Sequence, residues 1–294
     1  MQLHPSIDLT IIEGGKTVGG VWSDERLYPE LYAQVTHGFF EFTDLPMRKE
    51  YLSPHGYISG VALNKYIAEV AEKFGLLKYI RFRTWVKLVQ ELPSGGWALR
   101  VRHRSFVGKP EDSHLNLICE GLGVEETLEC DKLIIATGTA NQPEIPNIPK
   151  FDFKPPVKHS REILEYDAAL QSPCVERVTV IGAAKAAYDA VYLAMKAGKK
   201  VDWIIRPNGR GPLSVYPATM FGINSMSVGF SQIFAKFSPS IDSTGDLWHW
   251  ALHTTWIGVL VTRLFWVVAT LICNAYAGYS RSENAEKLRP IPNR

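Results

Sequence analysis

The thirty residues from Arg177 to Arg206 restrict what this chain can fold into more than any other stretch. Val178 to Ile181 is a short apolar run, Gly182 breaks it, and Lys185 to Ala197 keeps a helical pattern until Gly198 stops it. A second apolar run, Val201 to Ile205, comes at once. Strand, helix and strand in that order predict a βαβ unit, because parallel strands cannot be joined by a hairpin and need a crossover. Such a unit is the building block of a doubly wound sheet, so the fold class is α/β.

The other elements are read around it. Leu9 to Ile12 predicts a buried strand ended by Glu13-Gly14-Gly15. From Gly19-Gly20-Val21-Trp22 to Tyr57 the chain is aromatic and punctuated by proline, as loops wrapping a site are. Ala62 to Phe74 predicts a helix, with Ile67, Val70, Ala71 and Phe74 on one face and Gly75 as its cap. Tyr79 to Leu92 and Trp97 to Arg104 alternate, which suits an antiparallel ribbon. Leu115 to Ala136 predicts two further strands, the last being Asp131 to Ala136, closed by Thr137-Gly138. Gln142 to Pro156 reads as a linker. Leu247 to Tyr279 carries one formal charge, Arg263, and its Trp256 to Ala275 stretch is long enough to cross a bilayer. That region is read either as a helix pair buried in a large domain or as a membrane contact.

Composition narrows the function classes. With 46% hydrophobic and 11% aromatic residues the chain can bury a core, and general disorder is excluded. Thirty-two basic against 30 acidic residues leave +2, so no electrostatic footprint for nucleic acid is expected. Cys119, Cys130, Cys174 and Cys273 form neither a disulfide scaffold nor a zinc pattern, which points to a reducing, cytoplasmic compartment. Met1 to Asp8 lacks the basic and apolar regions of a secretory signal. The histidines show no metal-ligand spacing, and there is no Gly-x-Ser-x-Gly elbow.

A nucleotide-binding βαβ turn needs glycine at the tight bend, glycine where backbone meets pyrophosphate, and a small residue where helix packs on strand. The row here is Gly182-Ala183-Ala184-Lys185-Ala186-Ala187-Tyr188-Asp189. Gly182 supplies the bend and Ala187 the small residue, while Ala184 replaces the middle glycine with a methyl expected to intrude on the phosphates. The helix N-terminus still offers N–H groups and a positive dipole end. Arg206, just past the second strand, is placed to pair with a 2′-phosphate and favour NADP over NAD. The plain alternative is a βαβ unit that binds nothing. Glu13, at a strand tip before glycines, suits paired hydrogen bonds to ribose hydroxyls. Gly19 and Gly20 allow backbone to approach a flat ligand that Trp22 could wall off.

In their order, Glu13, Gly19-Gly20-Val21-Trp22, Ala136-Thr137-Gly138 and the Gly182-to-Asp189 turn resemble the flavin-containing monooxygenases and their Baeyer–Villiger relatives. Arg26-Leu27-Tyr28-Pro29 and Glu41 to Met47 are similar to the family segment that lines the flavin. The resemblance covers roughly Leu9 to Pro207. It implies two Rossmann-like dinucleotide-binding units, the first incomplete, with a β-ribbon insertion and a helical, apolar C-terminal region. The expected domains are an FAD-binding-like unit over 1–145, an NADPH-binding-like βαβ unit over 146–210 and a helical region over 211–294. The first unit is expected to lack its glycine-rich turn, which should stand about twenty residues before Glu13, where twelve residues precede it.

By the resemblance, Glu13 holds the FAD ribose, Gly19, Gly20, Val21 and Trp22 line the flavin, and Thr137 and Gly138 lie near the cofactor junction. Lys185, Ala186, Ala187, Asp189 and Arg206 face NADPH. Gln34 stands where relatives carry an asparagine beside the reacting flavin. In Phe153-Lys154-Pro155-Pro156-Val157-Lys158-His159, His159 fits a family fingerprint and Pro155 replaces its glycine. The function implied is a monooxygenase that uses FAD, NADPH and O2 to oxygenate a small lipophilic substrate of specialised metabolism. Two other readings are a non-catalytic relative and a membrane-associated protein that uses 247–279.

Overall fold

The computed structural model describes residues 7–54, 56–104, 123–138, 143–149, 151–206, 212, 217–238 and 245–290. In chain order the main strands are β1 (Ile11–Ile12), β2 (Tyr32–Thr36), β3 (Tyr57–Ser59), β4 (Ile80–Arg81), β5 (Thr84–Glu91), β6 (Trp97–Arg104), β7 (Gly123–Cys130), β8 (Arg177–Ile181) and β9 (Lys200–Ile204). The helices are α1 (Gly60–Lys73), α2 (Ile163–Gln171), α3 (Lys185–Lys196), α4 (Ser225–Gly229), α5 (Gln232–Lys236), α6 (Leu247–His249), α7 (Trp256–Ala277) and α8 (Glu283–Glu286). The chain divides into two compact units, residues 1–27 with 61–161 and residues 28–60 with 162–294.

In the first unit β1 pairs in parallel with β4, Ile11 opposite Ile80, and α1 lies between them in the chain. α1 buries Leu63 and Tyr66 completely, with Ala62 and Ala71 nearly so. The expected stripe at Ile67, Val70 and Phe74 is only half-buried, because the helix starts earlier and its first turns take the core side. β5, β6 and β7 form an antiparallel ribbon. Within it Leu99 and Val101 face inward at the strand period of two.

Two expectations for this unit need correction. The strand from Leu9 is confined to Ile11–Ile12. No strand forms over 131–136, and Ile134 and Ile135 are 88% and 74% exposed. An apolar run becomes a strand only where another edge satisfies its backbone groups, and among the described residues none pairs with this one. The expected strand beginning at Leu115 falls partly on 105–122, outside the described residues; β7 is its described part.

The second unit contains the βαβ element. β8 and β9 are parallel, Val178 opposite Val201 and Ile181 opposite Ile204. α3 buries Ala187, Leu193 and Ala194. It ends as the sequence predicts. Gly198 takes φ 73, its N–H donates to the Met195 carbonyl, and the Lys199 N–H donates to the Ala194 carbonyl. This paired closure needs a residue at ease in left-handed backbone. β2 and β3 pair antiparallel in the same unit, with Ala33, Thr36 and Ile58 buried.

The 247–279 region is not a buried helix pair. Its first part is the three-residue α6 and a turn of π-helix over Trp250–Thr254. α7 runs 22 residues between the Thr255 cap and Gly278, with Trp256, Leu260, Leu264, Val267 and Leu271 exposed. One side packs on α5, where the Phe237 and Phe265 rings stack at 4.0 Å. A neighbour on one side cannot bury a helix that is apolar around its circumference.

Candidate functional site

In the first unit the site residues gather where β1 ends. β1 delivers Glu13 with its backbone tied on both sides. Its N–H donates to the Arg81 carbonyl at 3.1 Å, and its carbonyl accepts from the Thr84 N–H at 2.9 Å. One carboxylate oxygen, Oε1, accepts from the Gly15 N–H at 2.6 Å and holds the turn. Oε2 has no protein partner among the described residues, so an acceptor remains for a diol. The loop beyond Gly15 is held by Glu25, which sequence reasoning missed. Its carboxylate accepts from the Lys16 N–H at 2.8 Å and the Thr17 hydroxyl at 2.7 Å. Burial works to raise the Glu25 pKa, but the bonds from Thr17 and the Lys16 backbone prevail and lower it.

Gly19, Gly20, Val21 and Trp22 form one tight turn capped by Gly19. Gly19 takes φ 118, and a Cβ there would sit 3.0 Å from the Ser23 nitrogen, so this position demands glycine. The Trp22 carbonyl accepts from the Asn64 side chain at 2.9 Å, which anchors the turn to α1. Val21 is exposed. Thr137 and Gly138 are also exposed, in irregular chain beyond β7, with Gly138 at φ 75. His159 accepts the Arg161 N–H at Nδ1, 3.1 Å away, which organises its own loop.

In the second unit the turn after β8 leads from the strand into the start of α3. Gly182 takes φ 128, its N–H donates to the Ile204 carbonyl at 3.1 Å, and its carbonyl accepts from Trp203 Nε1 at 2.7 Å. Ala184 caps α3 in extended conformation and lends no side chain to the N–H groups of the first turn. The Ala187 N–H donates to the Ala184 carbonyl at 2.9 Å, so the N–H groups of Lys185 and Ala186 are the ones that remain to a ligand, at the positive end of the helix dipole. Ala186 is half-buried and Ala187 buried behind this turn. Tyr188 packs its ring edge-on to Trp203 at 4.8 Å, and burial pushes its phenol up to about 12. Arg206 is exposed two residues past β9.

Lys185 and Asp189 meet directly, Nζ to Oδ2 at 2.5 Å. The same Oδ2 accepts from the Tyr28 hydroxyl at 2.5 Å. Burial, then this hydrogen bond and the Asp189 charge, raise the Tyr28 pKa far above its ordinary value. Gln34 lies mid-strand in β2 with its side chain exposed. A distinct cleft of about 450 Å³ in the first unit is lined by Arg81, Phe82, Thr84, His103, Val124 and Glu126 and includes none of the residues singled out from the sequence.

Comparison with known proteins places this geometry. Residues 110–228 match the pyridine nucleotide-disulphide oxidoreductase family. An FAD-dependent monooxygenase of Fusarium langsethiae is 36% identical over 294 residues, 99% of this chain and 47% of that protein. The similarity to this FAD-dependent monooxygenase extends over 99% of this chain. The chain spans about half the length of the relatives it matches. Polycyclic ketone monooxygenase from the thermophilic fungus Thermothelomyces thermophila shares the fold over 96% of this chain and 49% of its own, at TM-score 0.65 and 19% identity. The OTEMO complex with FAD and NADP covers 79% of this chain and 40% of its own, at TM-score 0.52 and 20% identity.

Glu30 and Lys196 are further residues that sequence reasoning did not single out, and Tyr28 stood there only within a segment similar to one that lines the flavin, not as the partner of Asp189. Their signal lies in pairings across more than 160 positions of chain, which no local motif encodes.

Proposed function

We propose that this chain supplies the two dinucleotide-binding units of a monooxygenase that uses FAD and NADPH to insert one oxygen atom of O2 into a small lipophilic substrate of specialised metabolism. FAD is assigned to residues 1–145, NADPH to 146–210, and 211–294 forms the helical region. The observation that carries the reading is the Gly182 turn, with its uncapped α3 start and Arg206 beyond β9, in a chain homologous throughout to FAD-dependent monooxygenases. When bound, the flavin supplies redox chemistry, taking hydride from the nicotinamide and activating O2.

The residues of this chain bind and orient. Glu13 Oε2 would accept from the FAD ribose while Oε1 keeps the turn closed. Gly19 and Gly20 would let backbone lie close to the ring, with Val21 and Trp22 as its wall, and Thr137 and Gly138 would lie near the cofactor junction. The N–H groups of Lys185 and Ala186 would donate to the NADPH phosphates, and Arg206 would pair with the 2′-phosphate. Ala187 lets α3 pack against β8. Gln34 would present its side-chain amide to the reacting centre.

Purified protein should carry flavin absorbance and consume NADPH only in the presence of oxygen. A colourless protein that excess FAD does not stabilise against heat would overturn the reading in favour of a non-catalytic relative.

One observation favours a second property, cytoplasmic-side membrane contact through 247–279. α7 would span about 33 Å at roughly 1.5 Å per residue, close to the ~30 Å hydrocarbon core. Only 6% of its most apolar window is buried, whereas core helices are mostly buried. Flotation of the full chain with phosphatidylcholine vesicles tests this, and protein left in the dense fraction would refute it.

A further inference from the structure

Glu30 holds left-handed backbone, φ 61, although it is not glycine. The Leu31 N–H donates to the Tyr28 carbonyl at 3.2 Å and closes a turn with Pro29 second and Glu30 third. Proline second and a positive φ third make a type II turn, whose third residue is ordinarily glycine or asparagine. A glutamate there carries strain that glycine would avoid. An ion pair accompanies it: the Glu30 carboxylate meets Lys196 Nζ in the last turn of α3. Two residues earlier, Tyr28 donates to Asp189 on the same helix. Asp189 and Lys196 are seven residues apart, two turns along one face of α3. The turn therefore lies along the helix, tied at two points.

The strand beyond the turn gives the ties their meaning. β2 begins at Tyr32 and carries Gln34. The Leu31 carbonyl accepts from the Gly60 N–H at 2.7 Å, which closes the 28–60 excursion at its base. Beyond Gln34, the buried Thr36 hydroxyl donates to Asn224 Oδ1 at 3.1 Å and accepts from its Nδ2 at 3.0 Å. Gln34 is thus held between a tether to α3 and a tether to Asn224.

The geometry points to Asp189 and Lys196 as positioning residues that moor the Tyr28–Glu30 turn to the coenzyme helix and thereby place Gln34. The inference rests on the roles proposed above for Gln34 and α3. It changes the part given to Asp189: the carboxylate faces Tyr28 and Lys185, and acts on the reaction through the segment it holds. Lys196 stands at the far end of α3 from the coenzyme turn, so its tether can be cut without touching that turn.

The test uses the full chain and two readouts. The first needs no cofactor. Trypsin cleavage after the exposed Arg48, inside the 28–60 segment, reports local opening. Tyr28→Phe should be cut about tenfold faster than wild type, and Lys196→Met and Glu30→Gly (which keeps the turn and drops the tether) about two- to fourfold faster, because their ion pair is largely exposed. The charge swap Glu30→Lys with Lys196→Glu should restore the slow rate. Unchanged cleavage in Tyr28→Phe and Lys196→Met would overturn the tether.

The second readout is hydrogen peroxide released per NADPH consumed by the FAD-loaded chain, a ratio that lost folded protein does not alter. Lys196→Met should raise it severalfold and leave the KM for NADPH within about twofold, because coenzyme contacts are untouched. Faster cleavage with an unchanged ratio would overturn the placement of Gln34. Wild-type protein that consumes no NADPH with FAD would overturn the oxygenase reading, and the placement of Gln34 with it, while the cleavage rates still decide the tether.

Discussion

Alanine at Gly182 separates conformational strain from steric contact at the turn between β8 and α3. Gly182 holds φ 128, a backbone region that L side chains rarely adopt, while a Cβ built there would lie 3.9 Å from the Ala187 Cβ, an ordinary contact. The cost is therefore torsional, about 1–3 kcal/mol. Taking about 2 kcal/mol, and the usual 2–4 °C per kcal/mol for chains somewhat shorter than this, thermal unfolding should fall by about 4–8 °C. If the turn relaxes to shed the strain, the Gly182 carbonyl leaves Trp203 Nε1, and NADP+ affinity falls as tryptophan emission changes. Circular dichroism melts with and without NADP+ measure both effects. Ala184→Gly is the control: φ at Ala184 is −90, so glycine relieves no strain there. Removing that methyl should tighten coenzyme binding. Gly182→Ala melting within about one degree of wild type would refute the torsional reasoning. So would rescue by Ala187→Gly, which would show that contact, not φ, sets the cost.

Three other perturbations have definite expected outcomes. Arg206→Ala should weaken NADPH about tenfold, the worth of one charge-assisted contact, with little effect on NADH; equal loss for both coenzymes in fluorescence titration would remove Arg206 from the 2′-phosphate. The folded chain keeps the Tyr28 proton well above the ordinary pKa of 10.0, so this stabilisation is complete below that pH and is lost as pH rises above it. Wild type should then lose stability more steeply above pH 10 than Tyr28→Phe, and parallel melting curves across that window would contradict the assignment. Gly258→Ala should lower the melting temperature more than any surface change, because a Cβ there would lie 1.8 Å from the Ala251 carbonyl oxygen and force α7 off the preceding π-turn; an unaltered melt would refute that packing.

Local patterns were read well where local physics decides. Gly182 ends β8 and Gly198 stops α3, both at positive φ, and that requirement shows in the sequence wherever glycine interrupts an apolar period. The β5–β6 ribbon follows from alternation. Asp131 to Ala136 misled, since an apolar run has the same composition whether or not a neighbouring edge exists to pair with it. Leu247 to Tyr279 left two readings open for the same reason: hydropathy records that α7 avoids water and says nothing of what stands beside it. At the candidate site, Gly19 and Glu13 were legible because each acts on its own turn. Glu25 was not, because an acid that staples a loop looks in sequence like any solvated acid.

By itself the sequence determined the βαβ element, the ribbon and the resemblance to flavin monooxygenases, all of which rest on neighbours a few residues apart or on identities along the chain. Only the tertiary structure decided that Asp189 takes both Tyr28 and Lys185, and that Lys196 answers the strained Glu30. Hydrogen bonds and ion pairs act over a few ångströms of space whatever the separation in sequence, so partners more than 160 residues apart leave no periodic trace.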